Sequence, residues 1–318
     1  MTYAIGGRID ASDYNTFTGP SSTVSTAANA LNTVLGVGTG RFGYGQTVVP
    51  TVSAGQRINA TNWASLINTT ASLASHQNSS ITAITLPSAG QRINFLPALA
   101  TNLSTIYSNR NNAGGQGTTT PTTATYNATW SNALTITFTC TFSTADQARY
   151  FFNAGGQFAI NFSHPTGSGI NGLMSSLATA SGTIYVSAPE TGTVNIAGTS
   201  FNGVNKIGGS GSPVVLGSNI GYYAFTTSNA TIFQQKASTG PAGYLESFIS
   251  VAIRSNGTQG SNGDRGNVIT VTVTFDEIPN GLVVSAGTTS TLTVRYPATS
   301  YLTNSWGTVS VSSTGSGS

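Results

Sequence analysis

In the N-terminal third of the chain, apolar positions follow the 3.6-residue period of a helix, and beyond it they switch to strict alternation. Trp63, Leu66, Ile67, Thr70 and Leu73 share one helical stripe, and Leu96, Leu99, Leu103, Ile106 and Tyr107 share another. The helix of the first of three repeat copies is interrupted by Gly19-Pro20 and is expected to start afresh near Ser21, with Val24, Ala27, Ala28, Leu31, Val34 and Leu35 inward and Gly36 as terminator. Later, Leu134, Ile136, Phe138, Cys140 and Phe142 alternate with threonines, as a half-buried strand does. The same period marks 158–162, 249–253, 269–275 and 292–296, with shorter candidates at 184–186, 194–196 and 309–311. One helix interrupts the strands, opened by a Thr144-x-x-Gln147 capping box and closed near Gly155. The predicted fold class is α+β, mainly β. A short-helix repeat region spans 1–117, an antiparallel β-sandwich with one inserted helix spans 118–312, and 313–318 form a flexible tail.

The helices are announced by an internal repeat. Gly6-Gly7-Arg8-Ile9-Asp10-Ala11 returns as Gly55-Gln56-Arg57-Ile58-Asn59-Ala60 and, degenerating, as Gly90-Gln91-Arg92-Ile93-Asn94-Phe95. Glycine permits a tight turn, isoleucine anchors, and the Asx residue or the hydroxyl after it can cap a helix. The polar faces that follow are Ser, Thr, Asn and Gln with almost no charge, so ion pairs cannot solvate them, and packing on several sides is expected. The spacing at 96–106 also fits a coiled-coil seam but is too short to establish one, and a bundle is favoured. Residues 111–121, rich in Gly and Thr, read as a linker, and the Gly-, Ser- and Asn-rich tract 188–235 reads as long connections between short strands.

Composition narrows the function classes. Charged residues are 6% of the 318, against roughly 25% in ordinary soluble domains, and the net charge is +3 from scattered residues. No basic stripe suits nucleic acid, and no run approaches the ~20 apolar residues of a membrane span. The first residues lack the basic and apolar regions of a signal peptide, so a soluble, non-exported chain is expected. Hydroxyl and amide surfaces lose little on desolvation and suit burial in an assembly.

Catalytic chemistry has a thin supply: eight carboxylates, two histidines and one cysteine. Asp10 and Asp13 are read as capping residues. Asp276 and Glu277, adjacent at the end of a strand, point to opposite faces and are read as charges guarding a sheet edge. His76 is assigned to the end of a helix, where it complements the terminal carbonyls, and His164 to a turn before Pro165. Cys140 shares an apolar face and is read as inert. The 255–266 loop has a single carboxylate, too few for calcium, and the Asn-x-Ser/Thr sequons carry no weight in so Asn-rich a chain. No enzymatic activity, no metal and no cofactor is expected.

The Gly-x-Arg-Ile-Asx-Ala-x-x-Trp/Tyr starts, the segment Gly43-Tyr44-Gly45-Gln46-Thr47 and the run Ala148-Arg149-Tyr150-Phe151-Phe152-Asn153-Ala154-Gly155-Gly156-Gln157 resemble virion structural proteins of tailed bacteriophages, marine and cyanobacterial phage tail proteins in particular. The likeness covers residues 1 to about 165, with the third repeat departing at Phe95-Leu96-Pro97. It implies a virion location, assembly in the bacterial host cytoplasm, homo-oligomerisation and contact with other virion proteins. The expected role is a structural subunit of the tail, baseplate, collar or fibre apparatus, with a capsid decoration protein or a receptor-binding adhesin as alternatives. Docking is expected through Ile9, Tyr14, Ile58, Trp63, Leu66, Ile93, Leu99 and Leu103. For the adhesin, Tyr222, Tyr223 and Tyr244 are the candidate contacts to a host surface glycan.

Overall fold

The computed structural model describes residues 9–19, 30–38, 40–240, 243–257, 265–279 and 281–318. The fold is α+β and mainly β, as the alternation predicts. Its helices are α1 (Ala11–Thr18), α2 (Leu31–Leu35), α3 (Ala60–Gln77), α4 (Leu96–Ser108), α5 (Ala145–Asn153) and α6 (Gly169–Ser181). The glycine-led part of the first repeat copy, most of the span of the helix expected from Ser21 and much of the 255–266 loop lie outside the described residues; within that span α2 starts after Ala30, whose backbone is extended, and is ended by Gly36.

Each described repeat starts a helix. Asp10 with Asp13, and Asn59 with Asn62, form reciprocal capping boxes: the Asp10 N–H donates to Asp13 Oδ2 at 3.1 Å and the Asn59 N–H to Asn62 Oδ1 at 2.9 Å. The helix of the first copy therefore follows it directly as α1 and stops at Gly19, whose φ of 77° no side chain favours. The third copy lacks the box, and α4 begins at Leu96 with Pro97 in its first turn. The polar faces do find partners inside the chain. Asn15, Asn32 and Asn102 each grip the backbone N–H and C=O of one residue on an extended segment, Val52, Val49 and Thr82 respectively, at 2.8–2.9 Å.

The strands are β1 (Gln116–Tyr126), β2 (Ala133–Thr141), β3 (Gln157–Ser163), β4 (Thr183–Val186), β5 (Val194–Ile196), β6 (Thr199–Phe201), β7 (Val204–Ile207), β8 (Val215–Leu216), β9 (Ala230–Lys236), β10 (Phe248–Ser255), β11 (Val268–Asp276), β12 (Thr288–Pro297) and β13 (Ser310–Gly317). One sheet has the order β1-β12-β3-β4-β7 and the other β13-β2-β11-β10-β9-β8, while β5 and β6 make a separate hairpin. The late strands β11 and β12 thus return to lie beside the early strands β2 and β1, a Greek-key relation. Inward residues such as Ile136, Phe138, Ile160, Val251, Val271 and Leu292 are buried between the sheets. The outward threonines pair across strands, Thr135 with Thr274, Thr137 with Thr272 and Thr139 with Thr270.

Four features differ from the sequence reading. The 111–121 stretch is no linker, because β1 begins at Gln116 and pairs with β12 along its length. Residues 313–317 are not a flexible tail: β13 pairs with β2 as far as Gly317, and the Ser318 carbonyl accepts from the Ser131 and Asn132 N–H groups. A Cβ on Gly317 would come within 3.0 Å of Tyr126 and Trp130, so glycine admits this close approach. A second helix, α6, joins α5 within the sandwich; its buried Ile170, Leu173, Met174 and Leu177 follow helical spacing, but Gly169 and Gly172, each roughly 1 kcal/mol worse than alanine in a helix, obscure it. Finally, one contiguous hydrophobic cluster runs from Tyr14 through the helices and both sheets to Val309, so the cores on either side of residue 117 are continuous.

Candidate functional site

The helical region and the sandwich meet at residues 36–46, and α5 supplies the grip. The helix starts because Thr144 accepts from the Gln147 N–H at 3.1 Å, and it delivers Arg149 and Asn153 to that segment. Arg149, 1% exposed, donates from Nη1 to the carbonyls of Val37 and Phe42 at 2.8 and 2.5 Å and from Nη2 to Asp146 Oδ1 at 2.6 Å. Asn153 Nδ2 donates to the Gly43 carbonyl at 2.9 Å, and its Oδ1 accepts from the Tyr223 hydroxyl. Gly45, at φ 65°, lies where a Cβ would meet the Tyr150 ring at 2.5 Å. The two motif segments around 43–47 and 148–157, far apart in the chain, are therefore direct partners. Tyr44 closes the joint by donating to the Arg110 carbonyl, and burial pushes its phenol well above the usual tyrosine range.

Most of the residues expected to dock another subunit face the chain's own core. Tyr14, Trp63, Leu66, Leu99 and Leu103 are buried in the chain's own core, and Ile9, Ile58 and Ile93 are half-buried against it. The helical stripes pack on each other: Trp63 meets Tyr14, Phe95 and Phe17 edge-on at ring-centroid distances of 5.0, 5.4 and 6.2 Å. Tyr222 and Tyr223, proposed as glycan contacts, are 0% exposed. Tyr222 stacks on Phe152 with centroids 4.5 Å apart, and only Tyr244 of the three is half-exposed. Their burial follows from the short 3₁₀ turn Tyr222–Ala224, which folds both rings inward over α5.

The titratable groups are dispersed. Among the described residues, no group of three or more His, Cys, Asp or Glu side chains could hold a metal ion. Asp276 and Glu277 do not guard an edge, since β11 lies between β2 and β10 and Glu277 is 0% exposed just beyond its end. Burial raises both carboxyls above the usual range, while the Leu282 N–H, donating to Glu277, pulls the other way. Burial likewise raises the Cys140 thiol, which makes it a poor nucleophile. His164 clamps two elements, Nδ1 to Thr288 Oγ1 at 2.9 Å and Nε2 to Asn171 Oδ1 at 3.1 Å.

His76 is not an exposed cap for the α3 dipole. It is buried edge-on to Tyr44 at 5.4 Å, and burial lowers its pKa from 6.5 to about 4, with the Ala154 backbone acting in the opposite direction. A lowered folded-state histidine pKa favours the fold above pH 6.5, and this contribution is lost as pH falls from 6.5 towards 4. The shift corresponds to about 3 kcal/mol at full protonation. Urea unfolding at pH 7 and pH 4.5 should therefore show a loss on acidification that is largely absent from His76→Gln. Since Asp276 and Glu277 act in the opposite sense and His164 in the same sense, the difference between the two proteins is the informative readout; identical pH slopes would refute the assignment.

Two surface features escaped the sequence reading. The repeat is longer than its Gly-x-Arg-Ile-Asx core: Ser53-Ala54-Gly55-Gln56-Arg57-Ile58-Asn59 recurs identically as Ser88-Ala89-Gly90-Gln91-Arg92-Ile93-Asn94. In both, glycine sits at φ 83–84°, the Gln side chain accepts from the Ser N–H at 2.8–2.9 Å, and the arginine is exposed. Neither Arg57 nor Arg92 has a hydrogen-bond or ion-pair partner among the described residues. The second feature is a cleft at the helix–sandwich junction that holds Arg41 and Arg110; no local motif announces it, because its walls come from distant parts of the chain. No protein family, no curated protein and no solved structure matches the chain.

Proposed function

We propose that this chain is a non-enzymatic structural subunit of a bacteriophage particle, of its tail, baseplate, collar or fibre apparatus. It assembles with other virion proteins and with its own copies, and attaches through the N-terminal repeats. The observation that carries the attachment is the pair of identical exposed turns. Within each, glycine serves the turn, glutamine ties it, isoleucine anchors it and asparagine leads towards the helix, whereas the arginine is exposed and has no hydrogen-bond or ion-pair partner among the described residues. A repeated side chain without an internal role suits an external partner bearing carboxylates. The attachment surface is thus the exposed turns at 53–59 and 88–94 rather than the buried stripes behind them. Outward threonine ladders on the sandwich, nearly free of charge, suit cover by neighbouring subunits because little desolvation opposes it.

The test is incorporation into assembled particles of chain carrying both Arg57→Ser and Arg92→Ser. Fold stability should change by no more than about 0.5 kcal/mol, as for surface substitutions. Incorporation should fall about tenfold or more, the scale of losing charge-assisted hydrogen bonds. Wild-type incorporation of the double variant, or particle density with both turns facing solvent, would reject attachment through the repeats.

A further inference from the structure

We infer that the cleft at the helix–sandwich junction binds the carboxylate-bearing ring of an acidic sugar. The inference is independent of the structural-subunit reading. The cleft is about 180 Å³ and is lined by Arg41, Arg110, Asn111, Thr191, Thr193 and Tyr223 among others. At ~30 Å³ per water it has room for about six waters, comparable to one pyranose ring with its substituents.

Its electrostatics select an anion. The chain has eleven basic residues in 318, yet two guanidinium groups share this recess, opposed by the single carboxylate of Glu190 paired with Arg41. Arg110 is held ready rather than spent. Its guanidinium lies 4.8 Å from the Phe42 ring centroid and 5.1 Å from that of Tyr107. Nη1 donates to the Tyr107 carbonyl at 2.9 Å and Nε to the Arg41 carbonyl at 3.4 Å, which leaves Nη2 without a partner among the described residues. Arg41 is fixed over the Tyr223 ring at 5.5 Å. Planar guanidinium groups immobilised on aromatic faces match a carboxylate and lose little rotamer freedom on binding it.

Its hydrogen bonding selects a sugar over a bare anion. Thr191 and Thr193, both exposed, line the cleft together with Asn111 and offer hydroxyl and amide groups that sugar hydroxyls can meet. A neutral sugar leaves Arg110 unmatched, and sulfate, with no hydroxyl to donate, leaves the hydroxyl acceptors of Thr191 and Thr193 unmatched.

Titration calorimetry of the full chain at low salt with glucuronate, glucose and sulfate tests this. Glucuronate should bind, with glucose and sulfate each weaker by about tenfold, the scale of one charge-assisted or buried hydrogen bond. Arg110→Gln, shown to be folded by a cooperative thermal transition because Arg110 also donates to the Tyr107 and Arg41 carbonyls, should lower glucuronate affinity about tenfold. Glu190→Gln should raise it severalfold by removing the competing carboxylate, the opposite of what a purely structural tether gives. The proposal is overturned by absence of glucuronate binding to both the wild type and Glu190→Gln at about 10 mM, a concentration that detects weak sites. Sulfate binding as tightly as glucuronate would overturn the sugar, and glucose binding equally would overturn the carboxylate. Should Glu190→Gln fail to fold, the Arg110→Gln comparison decides alone.

Discussion

Trp63→Ala should lower the free energy of unfolding by about 3–5 kcal/mol, a large share of the 5–15 kcal/mol that ordinarily holds a protein folded. Trp63 is 1% exposed and sits where α1, α3 and α4 converge, touched edge-on by Tyr14, Phe17 and Phe95. Truncation removes its burial and leaves a cavity that the two rings of α1 and Phe95 at the start of α4 cannot fill. Its indole N–H has no hydrogen-bond partner, so Trp63→Phe forfeits no polar contact and should cost well under half as much. Urea unfolding of the three proteins gives the comparison. Equal stabilities would mean that the helical core does not form around this side chain. Since the residue is internal, any accompanying loss of particle incorporation should track the stability loss, unlike that of the Arg57 and Arg92 variants.

Arg149→Met is expected to destabilise the joint between the two regions by about 3–5 kcal/mol, the scale of losing the hydrogen bonds made by a buried guanidinium. The methionine keeps much of the aliphatic volume but donates nothing, so the Val37 and Phe42 carbonyls lose their donor and Asp146 loses its partner. Two observations separate this from general loosening. Limited proteolysis should open first at residues 36–46, and double-mutant coupling between Arg149→Met and Asn153→Ala should be strong, because both side chains hold the same segment. Cleavage that begins elsewhere, or additive effects of the two changes, would show that the segment is held by other contacts.

Much of the local structure was legible in the sequence because it is written in local terms. The alternation at 133–141, 157–163, 248–255, 268–276 and 288–297 specified strands and their buried faces, since side chains at every second position must share one side of a strand. The Asx residue at 59 marked a helix start, since capping needs only neighbours three residues away, whereas the helix after Asp10 begins at once at Ala11 and not afresh near Ser21. What escaped has no local signature. Beyond the short candidate at 309–311, β13 is Ser, Thr and Gly with almost no apolar residue, and it continues as a strand to Gly317 because β2 offers it a row of backbone partners. The threonine-rich β1 is a strand for the same reason, against β12.

The site was harder to read than the fold. An apolar stripe shows that a helix face is covered but not by what, and here the helices cover one another, so Trp63, Leu66, Leu99 and Leu103 became core. Tyr222 and Tyr223, in a Gly- and Ser-rich tract suited to an exposed loop, turn inward because α5 presents Phe152 and Asn153 beneath them. The sequence by itself determined the class, the strand faces and the helix starts, all set by steric and capping rules acting within a few residues. Only the tertiary structure decided which polar groups are gripped and which are free. Arg149, Arg110, Arg57 and Arg92 are the same residue type, and their environments, from full burial between carbonyls to open solvent, are assembled from segments brought together by folding.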